Sequence, residues 1–199
     1  MKTIRLAKAE DASAMLAIYG PYIDKTPVTF EEVHPSVDAF ASRIEESTKN
    51  LPWLVCEADG KLAGYAHADF HRERAAYRWS AECSVYVGDD HQRQGVARSL
   101  YNALFATLRL QNYFNLYAGI TLPNAPSVAM HESMGFRAVG TYRNVGYKRG
   151  QWHDVGWWHL GLQAALARPA EPLPLAVIVD TEAFAGALRG EASRVSASI

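Results

Sequence analysis

The stretch His91 to Ala97, His-Gln-Arg-Gln-Gly-Val-Ala, constrains the fold more than any other, because an apolar strand-like run precedes it and a helical pattern follows. A strand that breaks at Gly95 and opens straight into a helix leaves several backbone N–H groups without intrahelical partners. They point one way, with the positive end of the helix dipole behind them. Such a turn is an anion site, and phosphate is the anion that suits it. Beyond the turn, Val96, Leu100, Leu104 and Leu108 recur at helical spacing with Tyr101 and Phe105 beside them, which predicts a core-facing helix.

The rest of the chain supplies a sheet for that strand. Thr3 to Ala7 reads as a short strand, and Glu10-Asp11 leads a helix with Met15, Leu16, Ile18 and Tyr19 on its apolar face, ended or bent by Pro21. After a loop over Asp24 to Phe30, Ser36 caps a second helix, Val37 to Ser47, with Val37, Phe40, Ala41 and Ile44 on one side. The period then becomes strand-like: Trp53 to Ala58 and Leu62 to Ala68 flank Asp59-Gly60, a two-residue hairpin signal. A charged connection, Phe70 to Arg74, leads to a strand over Tyr77 to Val87. Past the phosphate turn and its helix, Leu116 to Thr121 forms a strand. Asn124 caps a short helix with Pro126 in its first turn and Gly135 after its end. Two further strands, Arg137 to Tyr147 and His153 to Leu162, are joined through Lys148 to Trp152. Pro169, Pro172 and Pro174 mark an extended connection; Leu175 to Val179 reads as a strand, and Asp180 as the cap of a helix bearing Phe184 and Leu188.

At 199 residues this is one domain with an appendage, and a net charge of −1 with scattered basic residues argues against an electrostatic nucleic-acid binder. No apolar run reaches membrane-spanning length and no charged-then-apolar leader is present, so a soluble cytoplasmic protein is expected. Cys56 and Cys83 sit among apolar neighbours and read as buried thiols. Histidine and cysteine spacings give no metal motif.

With this element order, Gln92-Arg93-Gln94-Gly95-Val96-Ala97 resembles the acetyl-CoA pattern Gln/Arg-x-x-Gly-x-Gly/Ala of the GCN5-related N-acetyltransferase (GNAT) superfamily. Four blocks look like a narrower group, the phosphinothricin N-acetyltransferases: Trp79 to Val87, His91 to Gly95, Leu122 to Phe136, and Trp152 to Trp158. The resemblance spans residues 3 to 162. It implies an α+β GNAT fold, a mixed, mostly antiparallel twisted sheet of about six to seven strands flanked by helices, whose splayed central strands form the acetyl-CoA site. Residues 1–165 form the acetyltransferase domain and 166–199 a Pro/Ala-rich extension. The implied activity is transfer from acetyl-CoA, without a metal, to the α-amino group of a small amino acid such as phosphinothricin, methionine sulfone or methionine sulfoximine. Homodimers are common in this group, and the apolar tail is expected to contribute to pairing.

The resemblance also assigns residues. Backbone amides of Arg93, Gln94, Gly95, Val96, Ala97 and Arg98 would hold the pyrophosphate, with both arginines as charge partners. Val85, Tyr86 and Val87 would meet the pantetheine arm, and Asn124 and Ser127 the cofactor. Glu82, a carboxylate in an otherwise apolar strand, matches the position that removes the amine proton. His131 stands where many relatives carry a tyrosine that protonates the leaving thiolate; the residues alone leave acid and base duty open between it and Glu82. Arg72, Arg74 and Tyr77 are the expected acceptor ligands and Phe30 a wall of the pocket, while Trp152, Trp157 and Trp158 are left outside it. Two other readings stand beside this one: acetylation of a protein N-terminus or lysine, and a non-catalytic acyl-CoA-binding module.

Overall fold

The computed structural model describes residues 2–190, so the last nine residues of the expected extension lie outside the described residues. The elements follow the order read from the sequence: β1 (Lys2–Leu6), α1 (Ala12–Lys25), α2 (Val37–Ser47), β2 (Trp53–Ala58), β3 (Lys61–Phe70), β4 (Ser80–Val87), α3 (Val96–Leu110), β5 (Asn115–Leu122), α4 (Ala125–Ser133), β6 (Arg137–Lys148), β7 (Gln151–Gly161), α5 (Leu175–Ile178) and α6 (Glu182–Arg189). The strands form one seven-stranded sheet in the order β1-β2-β3-β4-β5-β7-β6. Every neighbouring pair is antiparallel except β4 and β5.

Helices cover both faces, and strand alternation sorts side chains between them. From β2, Leu54 and Cys56 join Leu100, Leu104 and Leu108 of α3, whereas Trp53 and Val55 join Met15, Phe40 and Ile44 of α1 and α2. A strand buried on both sides must be apolar throughout, which is why Trp53 to Cys56 shows no polar alternation. Asp59 and Gly60 both have positive φ, 52° and 77°, as the predicted hairpin turn requires. Ser36 caps α2 through a hydrogen bond accepted from the Ala39 N–H at 3.1 Å.

Four expectations are corrected. Pro21 lies inside α1, which runs on to Lys25. Two later residues of the helix compensate the lost backbone bond: Ile23 is buried, and the Tyr22 hydroxyl donates to the Val87 carbonyl at 2.9 Å. The strand expected from Tyr77 starts at Ser80, because Ala75–Tyr77 form a single 3-10 turn. The connection expected over Lys148 to Trp152 is a tight turn at Arg149 and Gly150, both at positive φ. Finally, Leu175–Ile178 is a helical turn, and the cap of α6 is Thr181, which accepts from the Phe184 N–H at 3.2 Å. In a strand Leu175 and Ile178 would face opposite ways. One helical turn puts both, with Phe184, against Leu6, Leu110 and Leu188. Leu175, Ile178 and Phe184 of the extension are therefore engaged by β1 and α3 of their own chain.

The parallel pair matters most for function. Its register runs only from Ser80↔Asn115 to Glu82↔Tyr117, although β4 continues to Val87 and β5 to Leu122. Past Glu82 the two strands part and leave a wedge in the middle of the sheet.

Candidate active site

The wedge holds a cavity of about 110 Å³, walled by Ser84 and Tyr86 of β4, Thr121 of β5, Asn124 at the cap of α4, His131 of α4, and Tyr101 of α3. Because β4 has lost its partner on this side, its backbone polar groups from Cys83 onward can bind an extended ligand as a missing strand would. Val85 and Tyr86 line the cavity; the Val87 carbonyl already accepts from Tyr22.

The phosphate turn lies beyond the end of β4. Arg93 and Gly95 have φ of 57° and 79°, the left-handed values that turn the chain into α3. A Cβ on Gly95 would meet nothing within 4 Å, so glycine is required there by backbone conformation and not by crowding. Val96, Ala97 and Arg98 open the helix with N–H groups that have no intrahelical acceptor. Side chains brace the turn: Gln94 donates to the Asp90 carbonyl at 2.7 Å, Gln92 to Asp89 at 3.0 Å, and the Lys2 ammonium to the Gln94 carbonyl. Arg93 is exposed, and Arg98 donates to Ser133 Oγ at 2.7 Å, which ties α3 to α4.

Glu82 is not a solvated edge residue. Its Oε1 lies 2.9 Å from His71 Nδ1 and 3.1 Å from Arg72 Nη1. His71 stacks on Tyr117 with centroids 4.4 Å apart, and Trp157 meets the same ring edge-on at 6.3 Å. The Arg72 guanidinium also lies 5.8 Å above the Trp157 ring. Arg72, an expected acceptor ligand, is thus held against the Glu82 carboxylate. His71 and Trp157 were missed: the first looked like part of a charged connection, and the second like core.

His131 was expected on a polar helix edge with Asn124 and Ser127. Instead its ring is buried, at 4% exposure, and both nitrogens are engaged. Nδ1 lies 2.8 Å from the Ser127 carbonyl and Nε2 3.1 Å from the Tyr101 hydroxyl. A carbonyl only accepts, so Nδ1 carries the proton, and Nε2 of the neutral ring accepts from Tyr101. Burial pushes the His131 pKa below its usual value and the Tyr101 pKa well above, which favours the neutral form of both. Asn124 Oδ1 accepts from the Ser127 N–H at 3.2 Å, so its carbonyl oxygen serves as the helix cap. Tyr101 looked like a core aromatic. The available signal was its hydroxyl, which on a fully buried face needs a partner. The neighbouring Cys83 thiol is buried and its pKa is pushed up to about 12, so it is not a ready nucleophile.

The remaining acceptor candidates lie apart from the wedge. Arg74 and Tyr77 line an open hollow of about 950 Å³ enclosed by the segment from Phe70 to Arg78. Tyr77 reaches toward Glu82 only through an edge contact with His71 at 5.9 Å. Phe30 packs against Gly146 of β6, where a Cβ would come within 2.3 Å of its ring. Val28, two residues earlier, is the loop residue that walls the wedge. Lys148 fixes this loop by donating to the Thr29 and Glu31 carbonyls, both at 2.8 Å. Among the described residues no cluster of His, Cys, Asp or Glu could hold a metal ion, and no helix is long and apolar enough to cross a membrane.

Comparison with known proteins bears on this geometry. The model of the acetyltransferase (GNAT) domain matches residues 4–157. Phosphinothricin N-acetyltransferase of Streptomyces viridochromogenes is 40% identical over 172 residues, covering 86% of this chain and 92% of that protein. The L-methionine sulfoximine/L-methionine sulfone acetyltransferase of Salmonella typhimurium is 31% identical over 169 residues, 84% of this chain and 99% of its own. Among solved structures, a phosphinothricin acetyltransferase from Sinorhizobium meliloti in complex with acetyl-CoA superposes with a TM-score of 0.82 at 29% identity, over 87% of this chain and 96% of that one.

Proposed function

The chain belongs to the GNAT family of acetyl-CoA-dependent N-acetyltransferases, and from that premise we propose that it acetylates the α-amino group of a small free amino acid of the phosphinothricin, methionine sulfone or methionine sulfoximine type. The observation that carries the reading is the parting of β4 and β5 just past Glu82, whose carboxylate is held by the His71 imidazole and the Arg72 guanidinium, and the cavity beyond it walled by the buried Tyr101–His131 pair. Acetyl-CoA supplies the activated acetyl group. The N–H groups from Arg93 to Arg98 receive its pyrophosphate, and the free edge at Val85 and Tyr86 aligns its arm. Val87, Asn124 and Ser127 stay in the cofactor set: Val87 as the end of that edge, and the other two through their place at the start of α4.

Glu82 takes the proton of the acceptor ammonium, directly or through water, because a protonated amine cannot attack. His71 and Arg72 fix the orientation of that carboxylate. In the wedge Tyr101 stays protonated, and its hydroxyl turns from His131 Nε2 to donate a hydrogen bond to the departing sulfur; the thiolate leaves with that support and takes its proton from water. Arg74 supplies a fork for the acceptor carboxylate, Arg72 adds positive charge beside it, and Tyr77 and Phe30 shape its approach. Residues 1–165 carry these parts, with 166–199 as an extension. A cytoplasmic location fits the two free buried thiols.

The test is initial-rate CoA release with a panel of free amino acids against peptides carrying free N-termini and lysines. The reading predicts that methionine sulfone or phosphinothricin outpaces every peptide by at least about 10²-fold in kcat/KM. Faster turnover of the peptides would establish the protein-acetylating alternative instead.

We also propose a homodimer formed through the β6–β7 hairpin, since Leu175, Ile178 and Phe184 of the extension pack within their own chain. Val139, Tyr142, Val145, Tyr147 and Trp152 all stand exposed there, and Tyr147 and Trp152 pack edge to face at 5.2 Å. Trp152→Glu is expected to convert dimers to monomers in sedimentation, while deletion of 191–199 leaves dimers intact. An unchanged mass for Trp152→Glu would remove this assignment.

A further inference from the structure

The segment between β7 and α5 crosses the end of the acceptor segment, at Arg78 and Trp79, and it lies beyond residue 157, where the match to the family model ends. We propose that residues 169–175 are a positioning strap that fixes the turn presenting Arg74 and Tyr77, and so set the affinity for the acceptor. The inference rests on the reading of those two residues as acceptor ligands.

One end of the strap is anchored in the core. Gln111, fully buried at the end of α3, donates from Nε2 to the carbonyls of Leu173 at 2.8 Å and Asn50 at 2.6 Å. Its own backbone carbonyl accepts from the Leu173 N–H at 2.9 Å, and the Leu175 N–H donates to Asn50 at 3.1 Å. Asn112 adds a bond from its side-chain amide to the Glu171 carbonyl at 3.1 Å. These bonds leave residues 171–175 little freedom, and the apolar contacts of Leu175 and Ile178 hold α5 in place after them.

The other end grips the acceptor segment. Arg78 Nη1 donates to both Glu171 carboxylate oxygens, at 2.7 and 2.8 Å. Trp79 Nε1 donates to the Ala170 carbonyl at 2.8 Å, and the Arg78 guanidinium lies 4.8 Å over the Trp79 ring. Arg78 in turn closes the preceding turn: its Nε donates to the Ala75 carbonyl at 2.7 Å, and its N–H to the same carbonyl at 3.2 Å. That turn, Ala75–Tyr77, has Arg74 at its N-cap and Tyr77 as its last residue. A single exposed ion pair contributes little to stability. Here it joins a core-anchored segment to a turn with few other restraints, so its effect falls on loop position, and ligand affinity reads that position.

The test uses full-length protein. Glu171→Arg is expected to raise the acceptor KM about fivefold, the size expected on reversing one solvent-accessible ion pair, with the acetyl-CoA KM and kcat unchanged. Arg78→Glu should match it, and the double variant Arg78→Glu/Glu171→Arg should recover most of the loss. An unchanged acceptor KM in Glu171→Arg, an equal rise in both KM values, or no recovery in the double variant overturns the strap. Arg74→Ala separates the two layers. If it raises the acceptor KM while Glu171→Arg is silent, the strap alone is wrong. If Arg74→Ala is itself silent, the acceptor assignment fails and the strap with it.

Discussion

Glu82→Gln is expected to lower kcat by about 10²- to 10⁴-fold and to leave acetyl-CoA affinity unchanged. Glutamine keeps the size and the acceptor oxygen that His71 and Arg72 now meet at 2.9 and 3.1 Å, so the sheet and the wedge keep their shape. What it loses is the ability to take a proton from an ammonium group. The residual rate should climb with pH as more of the acceptor becomes free amine, whereas wild type rises less steeply over the same range. Steady-state CoA release gives kcat, and calorimetric titration with acetyl-CoA gives the affinity. Normal turnover in the variant would remove Glu82 from proton transfer, and loss of acetyl-CoA binding would make its role structural.

His131→Phe is expected to cost about 10²-fold in kcat and about 1–3 kcal/mol in stability. Phenylalanine fills similar space, yet it leaves the fully buried Tyr101 hydroxyl without the ring nitrogen it has at 3.1 Å, and removes the ring N–H that tops the Ser127 carbonyl at 2.8 Å. The pH dependence carries a further signature. Burial depresses the His131 pKa, so below the ordinary imidazole value of about 6.5 the unfolded chain binds a proton that the folded chain resists. Its stabilising neutrality is therefore complete above that value and lost progressively as the pH falls through the window beneath it. Urea unfolding at about pH 7.5 and pH 5.5 should show a smaller drop for His131→Phe than for wild type. An equal drop in both proteins would assign the acid sensitivity to other groups.

Much of the fold and part of the site are legible in the sequence. Local signals with a single physical meaning carry through: Asp59-Gly60 at a turn that needs positive φ, Ser36 and Asn124 as caps, and Gly95 between strand and helix. Glu82 can be singled out because a carboxylate in an apolar strand is costly. Signals whose meaning depends on distant partners do not carry through. Pro21 marks a helix end unless residues beyond it, such as Ile23, have somewhere to pack. Leu175 to Val179 has a strand composition, and only the surface offered by Leu6 and Leu110 selects a helical turn. His71, Tyr101 and Trp157 become site residues through contacts 11 to 86 positions away in sequence, with Glu82, His131 and, for Trp157, His71. Nothing local marks such pairings. The same holds for the strap, whose Glu171 and Arg78 meet across 93 positions.

The central claim is that the amine attacks the thioester directly, within a complex that holds both substrates around the β4–β5 wedge. Initial rates with acetyl-CoA and methionine sulfone, each varied against fixed levels of the other, test it most directly. Intersecting double-reciprocal lines, with no acetyl label retained on the protein after acetyl-CoA alone, are the predicted result, in keeping with the buried Cys83 thiol held at a pKa of about 12. Parallel lines together with an isolable acetyl-protein would contradict it.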